Sequence, residues 1–298
     1  LGYEPGNTGL SMQNNKTIGI VLPVSEDDTY ENAFFLETMR GISLFCNQKQ
    51  YFTTLITGSS NEELLSAIRS MVKENHLDGI ILLYSNEQDP IIDYLYENGI
   101  LFVQIGKASQ YPGETICIDN DNILAAREAV NHLYKLGHRK IGYVGTDLKR
   151  IFSADRKAGY MLALAENNVP FQENYYLEMP QVPKNKTDRL LRFLSREDRP
   201  TAVLVSDDIL AMVLEKTAFE LHLQIPEDLS IISFNNSLFS KLSSPQLTSI
   251  DINSRQLGIE AASQMINHIE NPGLLATKII VPHFMIERQS CAPPKAPR

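Results

Sequence analysis

Residues able to recognise a small polar ligand recur at the carboxyl ends of short apolar runs. Ser25 to Tyr30 follow TIGIVLP, Tyr84 to Asn86 close GIILLY, Gly106-Lys107 follow LFVQI, Thr146-Asp147 follow KIGYV, Ser206-Asp207-Asp208 follow TAVLV and Asn235-Asn236 follow LSIISF. Ser153-Ala154-Asp155-Arg156 opens a segment of helical period, and Tyr30, Phe34, Phe35 and Tyr84 add aromatic faces. Carboxylates and amides hydrogen-bond hydroxyls, an arginine donates in a fixed fork, and ring faces cover apolar sugar faces, so the set suits a polyhydroxylated ligand. Each residue also has a structural reading. Asp and Ser after a strand cap helices, Phe34 and Phe35 share a helix with Met39, Ile42 and Phe45, and Arg156 could serve a structural ion pair. The ligand reading rests on several polar groups converging at equivalent strand ends, which capping does not require.

Signatures of catalysis are missing. The chain has no G-x-x-x-x-G-K-[ST] loop, no G-x-G-x-x-G after a strand and no G-x-S-x-G elbow. Its six histidines are scattered without metal-ligand spacing, and His138 in LGHRK reads as a turn residue. Asp207 and Asp208 are adjacent and point apart, a poor acid and base pair. A binding protein is expected, without metal or cofactor. Three cysteines (Cys46, Cys117, Cys291) lack C-x-x-C spacing and read as isolated thiols. The net charge of −9 gives the chain no broad attraction for phosphate backbones. No apolar run reaches the roughly 18 to 20 residues that span a bilayer, and the N-terminus lacks a signal-peptide pattern, so a cytoplasmic address and no membrane partner are expected.

The elements that must position these residues alternate from Thr17 onward. Strands are expected at 17–23, 52–56, 79–84, 101–105, 140–144, 201–205, 229–234 and 279–282. Their continuous Ile, Val and Leu runs suit a parallel sheet covered on both faces. Between them, 61–75 carries one stripe of Leu64, Leu65, Ile68, Met71 and Val72 with Asn61 as its cap. The helix 89–98 has Asp89 as cap, Pro90 in its first turn and Gly99 at its end, and 121–136 closes at Gly137.

A coarse repeat organises the whole. KTIGIVLPV (16–24) is echoed by RKIGYVGTD (139–147), DGIILLYS (78–85) by TAVLVSDD (201–208) and GILFVQIG (99–106) by LSIISFNN (229–236). At 298 residues, two similar α/β modules are more economical than one very wide sheet. Ligands of open α/β sheets sit beyond the carboxyl ends of the strands, so two facing modules would enclose a cleft lined by those loops.

Several blocks taken in order carry a family pattern: LGYEP (1–5), IDNDNILAAREAVNHLYKLGHRKIGYVG (118–145), SADRKAGY (153–160), SDDILAM (206–212), LSIISFNN (229–236), SPQLTSID (244–251) and IERQS (286–290). From Leu1 to about Ser290 the chain resembles the lactose/galactose repressor (LacI/GalR) family of bacterial transcription regulators. Within it, the chain is most similar to maltose-operon repressors of Gram-positive bacteria. The resemblance implies an α/β fold of two doubly wound parallel-sheet subdomains with a central cleft, periplasmic-binding-protein-like type I. The N-terminal subdomain would comprise 17–118 plus 251–276 and the C-terminal one 119–250 plus 277–290, with a remnant linker at 1–16 and a tail at 291–298. Crossovers are expected near 118–119, 250–252 and 276–278.

The resemblance also implies roles. Arg156 would be the principal effector ligand, with Asp207 and Asn235 beside it and Lys107, Tyr30, Phe34, Phe35 and Tyr84 facing them. Where the family often has Phe-Asp-Asp, this chain has Phe234-Asn235-Asn236, and an amide donates as well as accepts. The implied partners are a sugar effector (maltose or a maltodextrin), operator DNA reached through a headpiece outside this chain, and a second copy in a homodimer. The helices at 61–75 and 254–271 are candidates for that dimer face or for intramolecular core. The competing class is a transport-linked sugar-binding protein of the same fold.

In the family, Leu-x-Tyr-x-Pro precedes Asn-x-x-Ala-Arg-x-Leu, a hinge helix whose Leu wedges into the minor groove. Matched from Pro5, this chain has Gly6, Gly9, Leu10 and Met12 at the four specified places. The two glycines lower helix propensity by about 1 kcal/mol each relative to Ala. Met12 is the expected wedge, and Leu10 replaces the arginine.

Overall fold

In a computed structural model that describes residues 15–24, 32–74, 76–179 and 186–295, the apolar runs form two parallel sheets. The first half of the chain reads β1 (Thr17–Val21), α1 (Ala33–Gln48), β2 (Phe52–Ile56), α2 (Asn61–Lys73), β3 (Gly79–Leu82), α3 (Pro90–Glu97), β4 (Phe102–Ile105) and β5 (Ile116–Asp119). It continues through α4 (Asn122–Lys135), β6 (Ile141–Gly145), α5 (Ile151–Glu166), β7 (Tyr176–Glu178), α6 (Lys186–Leu194), β8 (Ala202–Val205), α7 (Asp208–Glu220), β9 (Ser230–Phe234), α8 (Leu238–Leu242) and β10 (Thr248–Asp251). The last elements are α9 (Ser254–Glu270), β11 (Lys278–Ile280) and β12 (Phe284–Ile286).

The sheet orders are β11-β5-β4-β3-β1-β2 and β12-β10-β9-β8-β6-β7. The first five strands of each lobe therefore occupy equivalent places, β2-β1-β3-β4-β5 against β7-β6-β8-β9-β10. All pairings are parallel except that of β12 with β10. Both faces of each sheet are covered, which explains the continuous apolar runs. In the first lobe Ile20, Ile81 and Leu83 enter one core while Val21, Ile80 and Leu82 enter the core on the opposite face. The side-chain period of a strand is two, so a run apolar at every position feeds two cores at once.

Helix pairs close the outer layers by near backbone contact. A Cβ on Gly41 would collide with the Arg255 carbonyl, and one on Gly258 with the Thr38 carbonyl, so α1 and α9 cross at two glycines. Gly159 plays the same part where α5 crosses α4, against the Ile123 carbonyl. The stripes of α2 and α9 are intramolecular: Leu64 and Ile68 are buried under the first sheet, and Leu257, Ala261 and Met265 pack with α1 and the strands. The cap of α2 is Ser60 rather than Asn61, its hydroxyl accepting from the Glu63 N–H at 3.2 Å. Asp89 and Pro90 open α3 as expected, and Gly99 follows with φ +63°.

The chain passes between lobes after β5, after β10 and between β11 and β12. The last passage corrects the sequence reading. The run at 279–282 was expected to lie beyond a crossover at 276–278, within a C-terminal subdomain that included 277–290. Instead Lys278, Ile279 and Ile280 pair with Cys117, Ile118 and Asp119 in the first lobe, and the chain crosses at 281–283. Without β11, β5 would be an open edge with unpaired backbone groups, and the run satisfies them. The second lobe takes β12 in its place. Asn120 ties the three passages together, its amide donating to the carbonyls of Ile252 at 3.0 Å and Val281 at 2.9 Å. The segment expected as a tail is fastened as far as Lys295. Cys291 Sγ donates to the Ile231 carbonyl, the Ala292 N–H to Ser230 Oγ, and Lys295 pairs with Asp228. His138 is a structural residue, buried between Thr201, Ser230 and the Ala292 carbonyl, and burial lowers its pKa.

Candidate functional site

Between the lobes, beside the crossovers, lies a cleft of about 310 Å³. Its volume falls at the lower end of the roughly 300–1,000 Å³ common for small-molecule sites. Strand-end loops line it, as the topology requires. Asp119 ends β5 and Asn120 follows it, Thr146 and Asp147 follow β6, Asp207 follows β8 and Asn235 follows β9.

Arg156 is the centre of its polar wall. Ser153, Arg156, Tyr160 and Ala163 share the inward stripe of α5, so the sequence places a charged residue where core residues belong. It is only 4% exposed. Its Nε donates to Asn122 Oδ1 at 2.9 Å and its Nη1 to the Ser206 carbonyl at 2.6 Å. The guanidinium carbon lies 3.9 Å from the Phe234 ring centroid and 4.8 Å from that of Phe152, so cation–π contact replaces part of the lost hydration. Burial lowers its pKa to about 10, and the nearby Asp207 and Asp119 carboxylates oppose that fall.

Around it the acids are unusual. Asp207 caps α7, its Oδ1 accepting from the Leu210 N–H at 2.8 Å, and burial raises its pKa. Burial pushes Asp119 up to about 7, with the Asp155 charge adding to the rise and the Asn120 N–H working against it. Asp208 points away from the cleft, accepting from Ser233 Oγ, from Ser249 Oγ at 3.0 Å and from the Ser237 N–H at 2.6 Å. It anchors the loop after β9. Asn235 sits in that loop at φ +92°, a backbone region where Asn is better tolerated than most side chains. Asn236 donates to Asp251 Oδ2 at 2.8 Å and accepts from Arg288, a double role that an aspartate could not fill.

The sequence-derived residues divide. Arg156, Asp207, Asn235, Phe34, Phe35 and Tyr84 all line the cleft. Phe34 and Phe35 meet edge to face with centroids 5.2 Å apart, and Phe35 is mostly core. Tyr84 is also largely core, with burial raising its pKa well above the ordinary phenol value. Lys107 is not among the lining residues; its Nζ lies 3.3 Å from both oxygens of Asp155 in the opposite lobe. Tyr30, Leu10 and Met12 lie outside the described residues.

Sequence reasoning missed Asn32, Glu87, Asp119, Asn120, Asn122, Lys149, Arg150 and Phe152 in the lining. The polar run 119–122 begins at the last residue of β5, a strand too short to be recognised. Phe152 lies one turn before Arg156 on the same face of α5 and could be found only by helical spacing. The loops at 85–87 and 149–151 also meet across the cleft: the Glu87 N–H donates to the Lys149 carbonyl and the Ile151 N–H to the Ser85 carbonyl, at 3.3 and 3.2 Å.

Among the described residues no helix is long and apolar enough to cross a membrane, and no group of three or more His, Cys, Asp or Glu could hold a metal ion.

Residues 130–291 match a family described as periplasmic binding protein-like domain. The chain is 30% identical over 290 residues to the HTH-type transcriptional regulator MalR of Staphylococcus xylosus, covering 97% of this chain and 85% of the relative. The crystal structure of a LacI transcriptional regulator from Bacillus cereus subsp. cytotoxis NVH 391-98 is similar at TM-score 0.88 and 36% identity, covering 92% of this chain and 98% of that one. A maltose operon transcriptional repressor MalR from a Staphylococcus is similar at TM-score 0.85 and 28% identity, covering 93% and 98%.

Proposed function

The chain belongs to the LacI family of transcriptional regulators, and from that premise we propose that its cleft binds a neutral sugar effector, maltose or a short maltodextrin. The observation that carries this reading is the buried, ring-clamped Arg156 fork among amide and carboxylate acceptors. Hydroxyl groups both donate and accept, so they match a wall that offers Arg156 as donor, Asp207 and Asp119 as acceptors and Asn235 as either. Four acids (Glu87, Asp119, Asp147, Asp207) and three bases (Lys149, Arg150, Arg156) line the cleft, a balance that favours an uncharged ligand over a phosphorylated one. The names of two similar proteins, both MalR, support maltose as the first sugar to test.

The regulator works by allostery rather than catalysis in this reading. The ligand sits between lobes joined by three strands of chain, so it favours the lobe orientation that lets both walls touch it. A homodimer passes the shift to DNA-binding segments, and a coupling of about 1–3 kcal/mol changes operator occupancy substantially. Large apolar side chains exposed on both lobes, Phe52 on β2 and Phe219 and Leu242 in the second lobe, support a second copy as partner. Sedimentation velocity should show a dimer at micromolar concentration; monomer alone would remove the homodimer from this reading.

Isothermal titration with maltose, maltotriose, ribose and glucose 6-phosphate tests the effector. Maltose or maltotriose should bind best, and Arg156→Ala should weaken binding about tenfold or more, the cost of losing a charged hydrogen-bonding partner. Equal binding by wild type and Arg156→Ala would overturn the assignment.

A further inference from the structure

We propose that Asn122 is the positioning residue that aims the Arg156 fork into the cleft, an inference that deepens the sugar-binding reading and rests on it. The first residue of α4, Asn122 is 5% exposed and lines the cleft. Arginine only donates, so the group 2.9 Å from its Nε must be the amide oxygen. That choice sends the amide nitrogen toward Asp119 Oδ1 at 3.3 Å and the Asn120 carbonyl at 3.4 Å, two acceptors. Both ends of the amide are thereby matched, and a leucine would match neither.

The consequence for Arg156 is geometric. A guanidinium is planar with five N–H groups in fixed directions. Anchoring Nε on Asn122 and one end on the Ser206 carbonyl fixes rotation in the plane, while Phe152 and Phe234 restrict tilt out of it. The remaining N–H groups are then held in one direction before a ligand arrives, and less freedom is lost on binding. Asn122 also fastens this fork to the first crossover, since Asp119 ends β5 and Asn120 begins the chain leaving it. A ligand pulling on Arg156 therefore pulls on the first segment that joins the lobes.

Two substitutions separate aiming from packing. Asn122→Leu keeps the volume and removes the acceptor; Asn122→Asp keeps an oxygen for Nε. The readouts are solvent exchange of the Arg156 Nε–H, by nitrogen-15 NMR of the ligand-free protein, and maltose affinity by titration. In the wild type the Nε–H should exchange slowly. Asn122→Leu should expose it and weaken maltose binding about tenfold, with thermal unfolding still cooperative, and Asn122→Asp should restore slow exchange. The proposal is overturned if Asn122→Leu leaves the Nε–H as protected as in the wild type, or if it exposes the Nε–H and Asn122→Asp does not restore protection. Should the wild type bind none of the sugars, the effector reading fails alone, because the exchange experiment needs no ligand.

Discussion

Asp119 is the residue at which the chemistry of the cleft should be most visible in solution. Its carboxyl is pushed up to about 7 by burial, against an ordinary unfolded value of about 3.9. A folded acid with a raised pKa holds its proton more tightly than the unfolded chain does. Below about pH 4 both states are protonated and the group is neutral toward folding. As pH rises to about 7 the unfolded chain ionises first, so stability falls, and above about 7 the loss is constant. Asp119→Asn cannot ionise. We expect it to match the wild type near pH 4 and to exceed it at pH 8 by on the order of 1–3 kcal/mol, measured by urea unfolding across that range. Parallel curves for the two proteins would show that Asp119 ionises freely in the folded state.

At the scale of elements, the site depends on how closely α4 and α5 approach. Asn122 begins α4 and Arg156 lies in the second turn of α5, one turn before the Gly159 crossing. A Cβ at Gly159 would strike the Ile123 carbonyl and lie 2.9 Å from the Ala126 Cβ, neither of which can move without shifting a helix. Gly159→Ala should cost about 1–3 kcal/mol through overpacking, seen as a lower Tm by circular dichroism. It should also weaken maltose binding, because the shift separates Asn122 from Arg156. A lower Tm with unchanged affinity would mean that the fork is held independently of the crossing. Long apolar runs such as GIILLY were legible because they fill two cores at once, and the Asp89-Pro90 and Gly99 signals of α3 because they are local. The strands β5, β7, β10 and β12 were not, being three or four residues long in polar surroundings. Asp207 and Asn235 could be read from strand ends and Arg156 from the start of a helix, whereas Asn122 and Asp119 depended on recognising β5. Sheet membership of β11 was decided by the open edge of β5, a long-range property that no local pattern carries.

For the whole molecule, the two lobes are held together chiefly at their three crossovers, and one side chain stitches these. Asn120 belongs to the first passage and donates to the carbonyls of Ile252 in the second and Val281 in the third. With 4% of its surface exposed, its amide has few other partners, and both accepting carbonyls would be left unpaired without it. Elsewhere the lobes meet through Phe34 of α1, which packs against the second-lobe core, through the Ser85–Glu87 and Lys149–Ile151 backbone pairing and through the partly exposed Lys107–Asp155 ion pair. Exposed ion pairs contribute little, about 0–1 kcal/mol, so cooperative unfolding of the two lobes rests heavily on Asn120. Each lobe has its own two cores and should survive its loss. Asn120→Ala should therefore turn one calorimetric transition into two, or broaden it until the calorimetric enthalpy exceeds the van't Hoff value. Maltose, which touches both lobes in the proposed complex, should merge the transitions again. A single sharp transition for Asn120→Ala, displaced to lower temperature without broadening, would show that the crossovers keep the lobes coupled without this knot.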